Sequence, residues 1–172
     1  MNNIILIGFM GCGKTSVGIK LSYLLKQIMT DTDRMIERQS QMTISEIFDK
    51  YGEETFREME TECLKKLLQE SDNRIISVGG GLPMQSENRV LLKRLGKVIY
   101  LRVTAATVCE RLSGDMSRPL LQGPNPEQKV RELLEKRSPI YESVADIIID
   151  VDGKGFDEIL GEIVERTEGK TE

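Results

Sequence analysis

The chain has 172 residues, 39% of them hydrophobic, with three cysteines, no histidine and a formal net charge of −4. That length builds one domain around one core, while the scattered basic residues give no electrostatic footprint for nucleic acid or a membrane surface and no apolar run approaches the roughly 18 residues a membrane span needs. Cys12, Cys63 and Cys109 are odd in number and lack CxxC spacing, which argues against a disulfide framework or zinc site and for a reducing, cytoplasmic setting. Short β-branched runs alternate with longer segments of helical period, the pattern of an α/β fold with a parallel sheet. In chain order the predicted strands are Asn3 to Ile7, Gln27 to Thr30, Arg74 to Val78, Val98 to Arg102 and Ile147 to Asp150. The predicted helices are Lys14 to Lys26, Asp33 to Ser40, Ile44 to Lys50, Glu54 to Glu70, Glu87 to Leu95, Ala105 to Leu112, Pro126 to Ser138 and Phe156 to Arg166. The apolar start "IILIGFM" lacks a basic flank and runs into glycines, so it reads as a core strand and not as a signal peptide. Without histidine, a general base has to be a carboxylate, lysine, tyrosine or cysteine.

Between the first strand and the first helix lies "GFMGCGKT", Gly8 to Thr15. It satisfies GxxxxGK[ST] in the strand-to-helix context that gives the motif its meaning. Glycines let successive N–H groups turn inward and cradle phosphate oxygens at a helix N-terminus, where the partial positive charge also favours an anion. Lys14 would reach the β- and γ-phosphates, and the Thr15 hydroxyl would ligate Mg²⁺.

A phosphate loop commonly works with an aspartate closing a neighbouring strand, but "RIISVGGG" ends without one. The carboxylates stand instead in "MTDTD", where Asp31 and Asp33 are two apart on an extended segment and project to one side. One could hold magnesium through water while the other accepts a proton from an attacking hydroxyl. The plainer alternative is that Asp33 N-caps the following helix.

Three further places break the ordinary pattern. Glu60 falls on the apolar stripe of Phe56, Met59, Cys63, Leu64, Leu67 and Leu68, with Arg57 three residues before it; burial of that carboxylate calls for pairing, although a solvated helix ion pair would give the same spacing. Arg137 lies on the stripe of Val130, Leu133 and Leu134, where it either faces inward or snorkels. Three consecutive glycines, Gly79 to Gly81, cost conformational entropy that close approach of backbone to a ligand would justify. The Gly-, Pro- and Ser-rich stretch "RLSGDMSRPLLQGPNP" reads as a lid, with Arg118 placed to meet transferring phosphate.

Together "GFMGCGKTSVG", "DTD", "IFDKYGEETFREMETE", "SVGGG", "SRPLL" and "KRSPIYESVAD" resemble the shikimate kinases, in order and spacing, over nearly the whole chain. The resemblance implies a three-layer α/β/α P-loop fold, like that of nucleoside monophosphate kinases, with a five-stranded parallel sheet in the order 2-3-1-4-5. It implies one domain with a substrate-binding helical region at about 33–61 and a lid at about 112–125, and transfer of the ATP γ-phosphoryl group to the 3-hydroxyl of shikimate. By the same resemblance, Asp33 would bind the shikimate hydroxyls and act as base, and Arg57, Gly80 and Arg137 would hold its carboxylate. Gly79 and Gly81 would flank that contact, and Glu60 would orient Arg57. Gly11, Cys12, Gly13, Lys14, Thr15 and Ser16 would bind ATP, and Asp31 would join Thr15 at Mg²⁺ through water. Arg118 would be the lid arginine, with Lys14 its catalytic partner at the phosphate. Arg111 would lie against adenine, and Phe48, Phe56, Pro119 and Leu120 would form the apolar wall of the acceptor pocket. In "DGKGF", Lys154 and Gly155 stand where some members carry arginine and proline near the base. The expected partners are shikimate and ATP, with no nucleic acid and no membrane, and the expected state is a monomer.

Two other readings share some of these features. A gluconate-type or nucleoside-monophosphate kinase would share the loop, fold and lid. A nucleotide-dependent switch would carry a guanine reader such as NKxD, which this sequence lacks.

Overall fold

Asn3–Ile7 forms β1, buried along its whole length, and a strand without a polar face belongs at the centre of a parallel sheet covered on both sides. A computed structural model of the chain, describing residues 2–70, 72–113 and 123–169, places it there. The other strands are β2 (Ile28–Asp31), β3 (Arg74–Ser77), β4 (Gly96–Arg102) and β5 (Ile147–Asp150), all parallel in the order β2-β3-β1-β4-β5. Ile5 pairs with Ile76 of β3 and Val98 of β4, so the sheet's middle is a continuous aliphatic layer. Helix α1 (Lys14–Leu25) packs on β1 to β3 and against α7 (Phe156–Glu168). Helices α4 (Ser86–Leu95) and α6 (Pro126–Val144) pack on β4 and on each other, α3 (Ile44–Glu70) packs with α4 and α2 (Thr32–Ser40), and α5 (Ala105–Leu112) packs on α6. The result is the expected three-layer α/β/α arrangement. Among the described residues no helix is long and apolar enough to cross a membrane.

Three differences from the sequence reading bear on the site. The second strand is shifted by one residue, so Asp31 closes β2 and α2 starts at Thr32. The two predicted helices at 44–50 and 54–70 form one element bent at Gly52, whose φ of 84° breaks the helical run. The helix predicted to end at Ser138 continues through Pro139 to Val144. A proline inside a helix costs about 3 kcal/mol, but the turn beyond it buries Tyr141 and Val144 completely or nearly so, which offsets that cost at roughly 2 kcal/mol or more per large apolar side chain.

The parallel order puts β1 between β3 and β4, and chains leaving adjacent strands on opposite sides open a crevice at the strands' carboxyl ends. The opposite end of the sheet is tied together by polar contacts. Asn3 donates its amide to the Leu95 carbonyl at 2.8 Å and accepts from the Arg74 N–H at 2.9 Å, tying β1 to the end of α4 and the start of β3. Asp146 accepts from the Val98 N–H at 2.8 Å and from Lys93 at 2.9 Å.

Gly96 pairs with Asn3 in this closed end, and a Cβ there would fall on the Asn3 carbonyl. Both neighbours are backbone and cannot swing away. Gly96→Ala should therefore cost about 1–3 kcal/mol, measured by urea unfolding, and wild-type stability in that variant would show the register to be looser than described.

Candidate active site

The phosphate loop leaves β1 at Gly8 and enters α1 at Lys14, with Gly11 and Gly13 at φ of 75° and 94°. Those left-handed values are open to glycine at little cost, and they turn the loop into a cup. Lys14 Nζ donates to the carbonyls of Gly8 at 2.7 Å and Phe9 at 3.1 Å, so its charge is held over the loop. Gly11, Gly13, Lys14, Thr15 and Ser16 line one cavity with Asp31, Asp33, Gly79 and Gly80. From α5, Arg111 donates to the Gly11 carbonyl at 3.0 Å and thereby closes the loop's outer side. Cys12 is a buried free thiol.

The two aspartates divide their work differently from the capping alternative. Asp31, not Asp33, caps α2: its Oδ1 accepts from the N–H groups of Asp33 at 2.9 Å and Arg34 at 3.2 Å. Asp33 lies in the first turn with a buried Oδ1 that has no hydrogen-bond partner among the described residues. Burial raises its pKa, the Asp31 charge adds to the rise, and the Lys14 charge opposes it.

The three glycines after β3 are explained by space. A Cβ on Gly79 would sit 2.8 Å from Asp33 Oδ1 and 3.2 Å from Glu60 Oε2. On Gly80 it would meet Arg137 Nη1 at 3.4 Å, and on Gly81 it would press on both terminal nitrogens of Arg57 at 2.5 and 2.6 Å. Each glycine admits one or two of the charged groups singled out from the sequence. None of the three has a φ in the left-handed region, so room for neighbours, not backbone conformation, is what they supply.

Glu60 is buried to 1% exposure and receives Arg57 Nη1 at 2.6 Å, while Glu53 takes Nη2 at 3.2 Å from the exposed side. The inward reading of Glu60 therefore prevails over the solvated pair. Burial opposes the Arg57 charge, but the Glu60 carboxylate more than compensates and its pKa rises. For Glu60 burial is the strongest influence and raises the carboxyl to about 7, against the pull of Arg57. Arg57 and Arg137 both line the adjoining pocket, with Met84 and Gln85. Arg137 is half-buried and lies over the Phe9 ring at 5.7 Å. Phe48 and Phe56 pack with ring centroids 5.0 Å apart.

Not every candidate joins this cluster. Lys154 pairs with Glu162 of α7 at 2.7 Å. Arg118, Pro119 and Leu120 lie outside the described residues, as does most of the predicted lid. Two participants escaped the sequence reading. The buried Thr32 hydroxyl accepts from the Gly79 N–H at 3.2 Å, and the buried Tyr141 hydroxyl donates to the Gly80 carbonyl at 2.6 Å. Tyr141 was legible in principle, four residues after Arg137 on the same stripe, had the helix not been ended at the proline.

A phosphate loop, an adjacent carboxylate with raised pKa and a second group of cationic side chains around bare backbone define a P-loop kinase of small acidic acceptors. The shikimate kinase family model matches residues 10–168. A shikimate kinase of Thermodesulfovibrio yellowstonii is 43% identical, over 99% of this chain and all of its own. Among solved structures, shikimate kinase from Acinetobacter baumannii in complex with shikimate is 39% identical with a TM-score of 0.92, covering 100% of this chain and 96% of that one. The Bacteroides thetaiotaomicron enzyme is 31% identical with a TM-score of 0.88, covering 97% and 98%. This chain belongs to the shikimate kinase family.

Glu60 links the site to stability. The unfolded chain releases this proton near 4.5, whereas the folded chain holds it to about 7, so between those values the folded state binds more protons. Its contribution is full below 4.5 and declines as pH rises through about 7. Urea unfolding at about pH 5 and about pH 8 should show a larger loss in the wild type than in Glu60→Gln. Equal losses would mean that Glu60 is ionised throughout.

Proposed function

We propose that this enzyme transfers the γ-phosphoryl group of ATP to the 3-hydroxyl of shikimate, as a single domain whose acceptor region spans about 33–61. The observation that carries this reading is the pair of separate anion-binding arrangements on either side of Asp33. On one side stands the phosphate loop with Lys14; on the other stand Arg57, Arg137 and the Gly79–Gly81 backbone. Shikimate presents a carboxylate at one end of its ring and hydroxyls at the other. A bidentate fork suits the carboxylate, and a carboxylate with raised pKa suits the hydroxyl.

In this reading Asp33 accepts the proton of the 3-hydroxyl as that oxygen bonds to the γ-phosphorus and the bond to ADP breaks. Lys14 exchanges its carbonyl contacts for phosphate oxygens and spreads the charge developing there. Glu60 holds Arg57 at its Nη1, and the acceptor's carboxylate takes the place of the exposed Glu53 at Nη2. The Thr15 hydroxyl, and the second oxygen of Asp31 through water, fit a hard cation that takes oxygen donors; Mg²⁺ held there supplies charge neutralisation at the β- and γ-phosphates. Arg111 borders the nucleotide side of the loop. Arg118 is assigned to the lid by its family position.

Three measurements bear on this mechanism. Asp33→Asn keeps size and removes the proton acceptor, so turnover should fall by roughly two to four decades while ATP binding persists; near-normal turnover would take Asp33 out of the reaction. Arg57→Lys loses the fork and should raise the KM for shikimate roughly 10- to 100-fold, the scale of a charged hydrogen bond, with ATP affinity almost unchanged. Among shikimate, gluconate, AMP and CMP, only shikimate should release ADP at an enzymatic rate, and comparable turnover of another acceptor would overturn the assignment.

A further inference from the structure

Tyr141 stands behind the acceptor site and has no place in the chemistry above. Its ring is fully buried against Tyr100, with centroids 5.0 Å apart, so packing alone would be served by phenylalanine. The hydroxyl nevertheless makes a short contact, donating to the Gly80 carbonyl at 2.6 Å. Arg137, one turn earlier on α6, lies beside the same phenol oxygen. A phenol has one proton to donate, and Arg137 has no acceptor atom, so the arrangement has one direction: the guanidinium faces the oxygen and the hydroxyl faces Gly80.

We propose that Tyr141 is a positioning residue for the acceptor's carboxylate, orienting the Gly80–Gly81 peptide and the Arg137 guanidinium together through its single hydroxyl. This rests on the function proposed above and extends it to a residue that does not touch the acceptor. In a trans peptide the C=O and N–H point in opposite directions. With the Gly80 carbonyl held toward α6, the Gly81 N–H faces away from it. The Leu82 N–H, donating to the Gly79 carbonyl at 3.1 Å, closes the turn around this peptide, and the Tyr141 hydroxyl adds a hold on its central carbonyl. Burial pushes the phenol above its ordinary range, so it stays a donor throughout the working pH.

Tyr141→Phe preserves the ring and deletes the hydroxyl. In the full-length enzyme with Mg²⁺ and ATP, the KM for shikimate should rise about tenfold, the scale of one hydrogen bond to a charged or oriented group. Turnover at saturation and the KM for ATP should stay within about twofold. A ring analogue with the same hydroxyls and a hydroxymethyl group in place of the carboxylate should not distinguish wild type from variant. Tyr141→Leu, which also lacks the hydroxyl, should repeat the rise specific to shikimate in a second packing context. A role confined to packing would lower the melting temperature and leave this pattern absent. An unchanged shikimate KM in folded variants, parallel rises for ATP and shikimate, or an equal penalty on the analogue would each overturn the proposal. Failure of the wild type to phosphorylate shikimate at all would instead overturn the functional reading beneath it.

Discussion

One residue beyond β3 the chain carries no side chain for three positions, Gly79 to Gly81, and charged groups from three helices occupy the space this leaves. Asp33 and Glu60 close on Gly79, Arg137 stands beside Gly80, and Arg57 stands against Gly81. These groups come from α2, α3 and α6, which are far apart in sequence. A Cβ at Gly79 or Gly81 would push two of these elements away from the sheet end or displace their charged groups. Close packing makes that constraint strict, since a protein interior has few voids into which a displaced group can move.

Burial then sets the electrostatics. Glu60 is nearly inaccessible and has one oxygen bound to Arg57 while the other has no partner among the described residues. Removing such a group from water costs several kcal/mol unless opposite charge compensates, and its raised pKa reports that compensation is incomplete. Asp33, between Lys14 and a second aspartate, shows the same imbalance. Strained ionisation of this kind gathers at sites that do chemistry, and both groups close on Gly79, beside the phosphate loop and the arginines at Gly80 and Gly81.

Helix α6 connects this site to the core. Its last turn passes an exposed proline because Tyr141 and Val144 gain more by burial than the missing N–H loses. The same turn supplies the hydroxyl that holds Gly80. Phe9, part of the phosphate loop, lies under Arg137, so one aromatic ring joins the loop to this helix.

The amino-acid sequence by itself determined the α/β class, all five strands to within a residue or two and the phosphate loop, because period, β-branching and glycine spacing are local properties of the chain. It also determined that Glu60 and Arg137 break their apolar stripes, with Arg57 bordering the first, which is legible wherever helical period and charge disagree. Local rules failed at two points. The capping rule offered Asp33 for a role that the one-residue shift of β2 assigns to Asp31, and the proline rule ended α6 before Tyr141. Strand register and the burial gained beyond Pro139 are decided by contacts between distant segments, where burial energy outweighs local preference. Only the tertiary structure decided that each of three successive glycines makes room for different charged side chains, since that depends on how three separate helices pass the end of one strand.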